Sequence, residues 1–291
     1  MGIKVSKYRN ILIKAIEEDV GAGDVSTASS IDPKLQAKAY IVSQEDMVVC
    51  GMMIAKEIFK LVDRRIKCTI KYSDGSFVNK KKVLAVISGP ARGILTAERT
   101  VLNFLAHLSG IASITRRFVR KIKRYKVTLL DTRKTTPLLR DLQKYAVVVG
   151  GGVNHRRGLW DGIMLKENHL LISGIRKKNT VNCSSLINLI NNLKKATNKK
   201  VEVEVESKEE FEQVIRCKPD IILLDNFKPE LIKECVLIRN KIYPRVKLEA
   251  SGGINIDNLE RFAKTGVDFI SVGSLTHSFK SSDISLDVFT G

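Results

Sequence analysis

Cationic side chains follow two short apolar runs near the middle of this 291-residue chain. They are Arg133 and Lys134, in the segment Asp131–Lys134 after the run at 127–130, and Lys166, directly after the run at 163–165. A triple glycine at 150–152 lies between the two runs and is soon followed by His155 and Arg156. A packed core does not need cations at the ends of buried strands, whereas guanidinium and ammonium groups match carboxylate and phosphate oxygens. The spacing therefore predicts a site that binds anions.

Carboxylates and glycine turns follow other apolar runs of the same kind. Glu204 and Asp225 lie near the ends of two runs that are one strand apart. Neighbouring carboxylates can hold Mg²⁺ or bind sugar hydroxyls, although salt bridges to the many lysines explain them equally well. The turns Ser251-Gly252-Gly253 and Gly273-Ser274 follow the last two runs. Glycine lets a phosphate approach backbone N–H groups, so this pair of turns predicts a phosphate site.

Histidines and one further arginine are weaker candidates. His155 can hydrogen-bond an anion or act as an acid. His169 and His277 carry less signal, and His107 on a long helix is expected to be a packing residue. Arg99 lies on the first turn of that helix, where a solvated side chain is the ordinary interpretation.

Beyond residue 125, short apolar runs alternate with helix-like stretches, which predicts a parallel sheet or barrel with right-handed crossovers. The predicted strands are Val127 to Leu130, Ile163 to Leu165, Val201 to Val205, Ile221 to Leu224, Val246 to Leu248 and Phe269 to Val272. Sites in such folds lie at the C-terminal ends of the strands. The alternation in VEVEVE at 201–206 usually indicates a half-exposed antiparallel strand. The barrel interpretation instead turns the valines towards outer helices and Glu202, Glu204 and Glu206 towards the lumen.

The first 95 residues or so read as a separate unit. A helix is predicted over Tyr8 to Asp19, a turn at Gly21 to Thr27, and strands over Ala37 to Val42, Ile66 to Tyr72 and Val83 to Ser88. The long helix is predicted to begin near Thr96, which can cap it. Gly110 then marks either a kink or a close contact.

Composition narrows the class of protein. The formal net charge of +19 admits nucleic acid, a membrane surface or acidic small molecules as partners. Because the basic residues are spread along the chain and only 6% of residues are aromatic, a solvated basic surface is favoured over a nucleic-acid site. No apolar run reaches the ~18 to 20 residues of a membrane span. Five cysteines without a C-x-x-C pair indicate a reducing cytoplasm.

Nine motifs in a fixed order give the chain a resemblance to a known family, the quinolinate phosphoribosyltransferases. They are GAGDVST (21–27), AERTVLNFLAHLSGIAS (97–113), DTRKTTP (131–137), KYAVVVGGGVNHRRGLWD (144–161), KENH (166–169), VEVEVES (201–207), LLDNF (223–227), EASGGI (249–254) and VDFISVGSLTHS (267–278). The resemblance covers nearly the whole chain. Leu138 stands where the family usually has glycine, and Ser113 where it usually has threonine.

The resemblance implies an N-terminal α/β sandwich (residues 1–112, with 279–291 packing back on it) and an open, incomplete TIM-like α/β barrel (113–278). It also implies a cytoplasmic homodimer, or a higher oligomer, in which Arg99 contributes to the neighbouring site, and Mg²⁺ near Glu204 and Asp225. The positions it matches to substrate binding are Arg99, Thr132, Arg133, Lys134, His155, Arg156, Lys166, Glu204, Asp225, Ser251, Gly252, Gly253, Val272, Gly273 and Ser274.

The reaction implied is phosphoribosyl transfer from phosphoribosyl pyrophosphate (PRPP) to quinolinate with decarboxylation, giving nicotinate mononucleotide, pyrophosphate and CO₂. Lys134, Lys166, Glu204 and Asp225 are the expected catalytic residues, and neither nucleic acid nor a membrane is an expected partner. Three alternatives remain: a related phosphoribosyltransferase acting on another base, a Schiff-base aldolase using Lys166, and a basic nucleic-acid-binding protein.

Overall fold

The computed structural model describes residues 4–178 and 180–289, and the chain divides into two compact units. The first unit contains the described residues up to 116, residues 136–151 and those from 278 onward. The second contains residues 117–135 and 152–277.

Helices and strands alternate along most of the described chain. The helices are α1 Arg9–Val20, α2 Val25–Ser30, α3 Met52–Val62, α4 Ala91–Ile122, α5 Arg140–Gly150, α6 Glu167–Ile172, α7 Cys183–Ala196, α8 Lys208–Val214, α9 Pro229–Ile242, α10 Leu259–Ala263 and α11 Ser274–His277. The strands are β1 Gln36–Ser43, β2 Met47–Val48, β3 Lys67–Ile70, β4 Phe77–Val78, β5 Val83–Pro90, β6 Thr128–Leu130, β7 Ile163–Leu165, β8 Arg176–Lys177, β9 Thr180–Val181, β10 Val201–Val205, β11 Ile221–Asp225, β12 Lys247–Ser251, β13 Phe269–Ser271 and β14 Ile284–Phe289.

The first unit is built on a four-stranded antiparallel sheet in the order β14-β1-β5-β3. Along β1, Ala37, Ala39 and Ile41 are buried while Gln36 and Lys38 are exposed, the alternation of a sheet with one face on a core. Helix α3 packs against β3 and α1. The sheet and its helices form the α/β unit that was predicted.

Two local predictions in this unit are wrong. Helix α4 begins at Ala91 rather than near Thr96, and Thr96 does not cap it. The Thr96 hydroxyl lies inside the helix and donates to Asp24 Oδ2 at 3.0 Å. The segment 21–27 is not a turn throughout, because Asp24 caps α2 by accepting the Thr27 N–H at 3.0 Å.

Gly110 marks a close contact, since a side chain there would clash with the backbone of Lys280.

The second unit is a six-stranded parallel sheet in the order β6-β13-β12-β11-β10-β7. Apart from the outermost β6, neighbours in the sheet follow one another along the chain with helical connections, as in a TIM-like barrel. Within the described residues β6 and β7 are its two edges, and the segment after α5 joins β6 through the parallel bridge Leu130–Val153. The predicted fold class, with its open and incomplete barrel, is confirmed.

Strand β10 carries the VEVEV alternation and is buried on both faces. Its three valines are at most 1% exposed, and Glu202 and Glu204 are 4% and 7% exposed. Both neighbours of β10 are parallel, so the half-exposed antiparallel interpretation is excluded. Glu206 lies beyond the strand end, where it is exposed and accepts from Arg176 at 2.7 Å.

In the part of the chain that the structure describes, every helix is too short or too polar to cross a membrane.

Candidate active site

A cavity of about 370 Å³ lies at the C-terminal ends of the parallel strands in the second unit. It is lined by Asp131, Thr132, Arg133, Lys134, His155, Arg156, Met164, Lys166, Glu204, Leu223, Asp225, Glu249, Ser251 and Ser271. Nine of these were predicted from the sequence as site residues. The predicted cations of the barrel unit therefore line one cavity. They do so because the C-terminal ends of parallel strands lie at the same edge of the sheet, and these residues follow the strands.

Two of the cations are held by hydrogen bonds to neighbouring residues. The Arg156 guanidinium donates to Gly162 O at 3.2 Å and to Met164 Sδ at 3.3 Å. Burial, and then the charge of Arg133, lowers its pKa below the usual value for arginine. The Lys134 backbone is fixed on both sides, since its N–H donates to Thr132 Oγ1 at 3.1 Å and its carbonyl accepts from Thr276 Oγ1 at 2.7 Å.

Lys166 and Glu204 form an ion pair across neighbouring strands, with Nζ 2.5 Å from Oε2. Burial, together with a hydrogen bond that the Glu204 carboxyl donates to Glu167, raises the pKa of Glu204 to about 7 in spite of Lys166. Burial also raises the pKa of Asp225 on the next strand, while the charges of Lys166 and Lys134 oppose that rise. The site thus places two carboxylates, whose charged forms are disfavoured by burial, next to a group of cations.

His155 is held by protein atoms at both of its ring nitrogens. Its Nε2 lies 3.0 Å from Glu202 Oε2 and 3.5 Å from Glu249 Oε2. Its Nδ1 accepts the backbone N–H of Arg156 at 2.8 Å. The backbone N–H of His155 donates to Asp131 Oδ1 at 2.8 Å. Both ring nitrogens are therefore engaged by protein atoms, and the expected contact of this ring with an anion remains a prediction.

The proton on the His155 ring can be placed from these contacts. Burial lowers the pKa of His155, but the close contacts and charges of Glu202 and Glu249 outweigh it and raise the pKa to about 10. At neutral pH the group formed by the ring and the two carboxyls therefore holds one proton more than a neutral ring with two carboxylates would. A second ring proton would lie on Nδ1 and face the N–H of Arg156. The same net charge results if that proton is on a carboxyl group instead, and burial raises the pKa of Glu202. We assign the neutral ring with its proton on Nε2, because two opposed N–H groups repel.

The two glycine turns sit at the ends of the last two strands, as predicted. Gly252 and Gly253 have φ of +93° and +61°, a region that favours glycine. A side chain at Gly252 would clash with the Asn226 amide. A Cβ at Gly273 would lie 3.3 Å from Lys134 Cδ, so this turn runs beside that lysine side chain. Among the predicted turn residues only Ser251 lines the cavity itself.

Sequence reasoning missed three polar residues of the lining: Asp131, Glu249 and Ser271. Asp131 is fully buried, and in the sequence it stands within the DTRKTTP motif without a distinct signal of its own. Glu249 and Ser271 lie inside strands β12 and β13. The available signal was a polar residue within an apolar run for Ser271 and directly after one for Glu249, since buried polar groups need a reason.

The other candidates fall outside the cavity lining. Arg99 is exposed on α4 in the first unit, and its proposed role remains a prediction. His107 contacts Gln143 Nε2 at 2.9 Å and the Phe279 ring with centroids 4.8 Å apart, so it is the packing residue that was expected. His169 accepts the Lys166 N–H through Nδ1 at 3.0 Å and thereby caps α6.

An α/β barrel whose strand ends surround cations, carboxylates and glycine turns defines an enzyme that handles polyanionic small molecules. The family models of quinolinate phosphoribosyl transferase match this chain over residues 24–109 (N-terminal domain) and 111–287 (C-terminal domain).

Relatives cover nearly the whole chain. The probable nicotinate-nucleotide pyrophosphorylase [carboxylating] of Bacillus subtilis is 41% identical over 93% of this chain and 90% of its own length. That of Methanocaldococcus jannaschii is 42% identical over 96% of each. The solved nicotinate-nucleotide pyrophosphorylase of Francisella tularensis is 40% identical with a TM-score of 0.89, covering 99% of this chain and 98% of that one.

The chain belongs to the quinolinate phosphoribosyltransferase family. It is a pentosyltransferase of pyridine-nucleotide biosynthesis, and the family and enzyme class predicted from its sequence are confirmed.

Proposed function

We propose that the cavity at the barrel strand ends transfers the phosphoribosyl group of PRPP to the ring nitrogen of quinolinate and releases CO₂. The observation that carries this proposal is the meeting of Arg133, Lys134, Arg156 and Lys166 in one cavity with Glu204 and Asp225. Four cations suit a dicarboxylate and a pyrophosphate together. A single carboxylate, as in nicotinate, would leave more of that positive charge uncompensated.

In the first step the pyridine nitrogen forms a bond to C1 of the ribose while the bond from C1 to the pyrophosphate oxygen breaks. Positive charge develops on the ribose, as in glycosyl transfer generally. Glu204 and Asp225 stabilise that charge and orient the ribose. Lys134, Lys166 and the arginines neutralise the substrate carboxylates and the departing pyrophosphate.

In the second step the positively charged ring nitrogen acts as an electron sink. The bond from C2 to its carboxylate breaks, CO₂ leaves, and the electron pair remains on C2 until a proton from solvent replaces the carboxylate. The protein's contribution here is to hold the dicarboxylate in place with Arg133 and Arg156 through both steps. The glycine turns 251–253 and 272–274 are the proposed place of the 5′-phosphate, because glycine allows close backbone approach.

Mg²⁺ is the proposed cofactor, held near Glu204 and Asp225. Both offer carboxylate oxygens, the ligand type that Mg²⁺ prefers. Burial raises the pKa of Asp225, and the charges of Glu206 and Glu167 add to the rise, so the donor set suits a cation. When bound there, Mg²⁺ would supply positive charge to the phosphate oxygens of PRPP.

The proposed assembly is a homodimer in which Arg99 of each chain completes its neighbour's site, and the proposed location is the cytoplasm. The free thiols at Cys50, Cys68, Cys183, Cys217 and Cys235 fit a reducing compartment.

The test is to mix the purified protein with PRPP, Mg²⁺ and either quinolinate or nicotinate, and to follow the mononucleotide and CO₂. We expect product and equimolar CO₂ from quinolinate only. Product from nicotinate without CO₂ would transfer the specificity to a related base. Absence of product from both would refute the proposal.

A further inference from the structure

Two carboxylates are buried together at the wall of the substrate cavity, and neither is among the residues assigned to the chemistry. Glu202 on β10 and Glu249 on β12 are 4% and 1% exposed. Within the described residues, Oε1 of each carboxylate has no hydrogen-bond partner, and Glu249 Oε2 has an ion-pair contact with His155 Nε2 at 3.5 Å but no hydrogen bond. Burying a carboxylate that is only partly paired costs roughly several kcal/mol, and two such carboxylates lie together here. Because the pair lowers the stability of the fold, it indicates a functional role.

The pair encloses the His155 ring at a wall between two cavities. His155, Arg156 and Glu249 line both the substrate cavity and a second cavity of about 570 Å³ that is also lined by Glu202 and Arg157. The ring bridges the carboxylates at its Nε2 and the backbone N–H of Arg156 at its Nδ1. Any tilt of the ring would therefore be transmitted to the backbone of Arg156.

We propose that Glu202 and Glu249 are positioning residues for the dicarboxylate: they fix the His155 ring with its proton on Nε2, and the ring fixes the backbone from which Arg156 reaches the substrate. This inference rests on the proposed use of quinolinate. Arg156 lines the cavity. Its side chain branches from the Cα atom that is bonded directly to the backbone nitrogen whose N–H the ring accepts. Second-layer contacts of this kind hold a binding group to within fractions of an ångström.

The same three side chains are spaced as metal ligands, with donor atoms within 4.8 Å of one another. A neutral imidazole that binds a metal through Nε2 carries its proton on Nδ1 and donates it to an acceptor. Here Nδ1 faces an N–H group at 2.8 Å, which is a donor. The contact therefore favours the positioning role over metal binding.

Two substitutions of Glu202 separate the loss of the hydrogen-bond acceptor from the loss of the negative charge. Glu202→Met has a similar length and removes the acceptor that lies 3.0 Å from Nε2, whereas Glu202→Gln keeps an amide oxygen that can accept. Quinolinate binding is measured by calorimetry on the full chain without PRPP, so that no turnover occurs. We expect Glu202→Met to weaken quinolinate binding about tenfold or more and Glu202→Gln about threefold or less, since a charge-assisted hydrogen bond contributes on that scale. PRPP binding should change less than about twofold, because the altered contact faces Arg156.

Nitrogen-15 NMR of the histidines reports the ring directly and does not depend on any substrate. The chain has four histidines, and His155→Asn identifies the resonance. We expect the wild-type ring to carry its proton on Nε2, Glu202→Gln to retain this form, and Glu202→Met to mix the two neutral forms. If Glu202→Met does not fold, the wild-type and Glu202→Gln spectra decide the question.

Several outcomes would overturn the inference. They are a wild-type ring with a proton on Nδ1, a folded Glu202→Met protein that binds quinolinate as the wild type does, and a stoichiometric metal that Glu202→Met removes. A wild-type protein that binds no quinolinate would instead refute the proposed function, and the NMR result for the ring would stand apart from it.

Discussion

Lys166 Nζ lies 2.5 Å from Glu204 Oε2, and the two residues belong to neighbouring parallel strands, one just past the end of β7 and the other within β10. The ion pair joins the group of cations to the carboxylates in a single site. In the proposed reaction, Lys166 would face the anionic groups of the substrates and Glu204 would face the ribose. The two substrate parts would therefore bind side by side, because β7 and β10 are neighbours in the sheet.

Arg156 is predicted to be specific for the dicarboxylate. Arg156→Ala should raise the KM for quinolinate about 10- to 100-fold, because hydrogen bonds to a charged group contribute roughly 1.5 to 3 kcal/mol. The KM for PRPP should change much less. Arg157→Ala is the matched control, since Arg157 is the next residue, is exposed, and lines the second cavity instead. Similar losses in both variants in steady-state kinetics would contradict the assignment.

Gly252 is predicted to be required where Gly253 is tolerant. A side chain at Gly252 would clash with Asn226, whereas a Cβ at Gly253 has no atom within 4 Å and meets only the cost of its positive φ. Gly252→Ala should lower kcat/KM for PRPP about tenfold or more, and Gly253→Ala should cost roughly 1 kcal/mol of stability with a smaller kinetic effect. Equal kinetic losses would show that space at this turn is not what matters.

Arg99 can be tested by complementation between two inactive variants. If each site needs Arg99 from the neighbouring chain and Lys166 from its own, a mixed dimer of Arg99→Ala and Lys166→Ala chains has one intact site. Random pairing of equal amounts then restores about a quarter of the wild-type activity. Each variant refolded by itself is the control. An inactive mixture that forms dimers would place Arg99 outside a shared site.

Asp268 is predicted to stabilise the barrel unit. It accepts from Arg239 at 2.7 Å and from Lys247 at 2.8 Å, and Arg239 is only 6% exposed. Asp268→Asn should lower the free energy of unfolding by about 3 kcal/mol, because it leaves a buried guanidinium uncompensated. Glu230→Gln is the control, since its pair with Arg261 at 3.3 Å is exposed and should contribute less than about 1 kcal/mol. Denaturant titration measures both, and equal losses would count against burial as the cause.

His107 gives the first unit a stability that depends on pH. Burial lowers its pKa below 6.5, so the neutral ring is favoured in the folded state. Its contribution is full above the unfolded pKa of about 6.5 and is lost as the pH falls below it. The unfolding midpoint of the wild type should therefore fall more steeply from pH 7 to pH 5 than that of His107→Gln. Near pH 8, where His107 is neutral in both the folded and the unfolded state, the two proteins should show the same slope, and parallel slopes at acid pH would refute the prediction.

The sequence by itself determined the class of fold and the main groups of the site. The predicted strand at 163–165 matches β7 and that at 201–205 matches β10, because apolar runs of this length between helical stretches have few other solutions. Since parallel strands end at a common edge, the cations that follow them had to converge. The nine sequence motifs, in their fixed order, then predicted the family.

Only the tertiary structure decided which distant groups meet. Thr96 looked like a helix cap because its partner Asp24, 72 residues away, was not visible in the local pattern. The sequence predicted that Glu202 faces the lumen. Its contact with His155, and the contact of Glu249 with the same ring, join side chains from separate parts of the chain and were visible only in the structure. Local periodicity fixes which face a side chain takes, whereas its partners depend on the register and closure of the whole sheet.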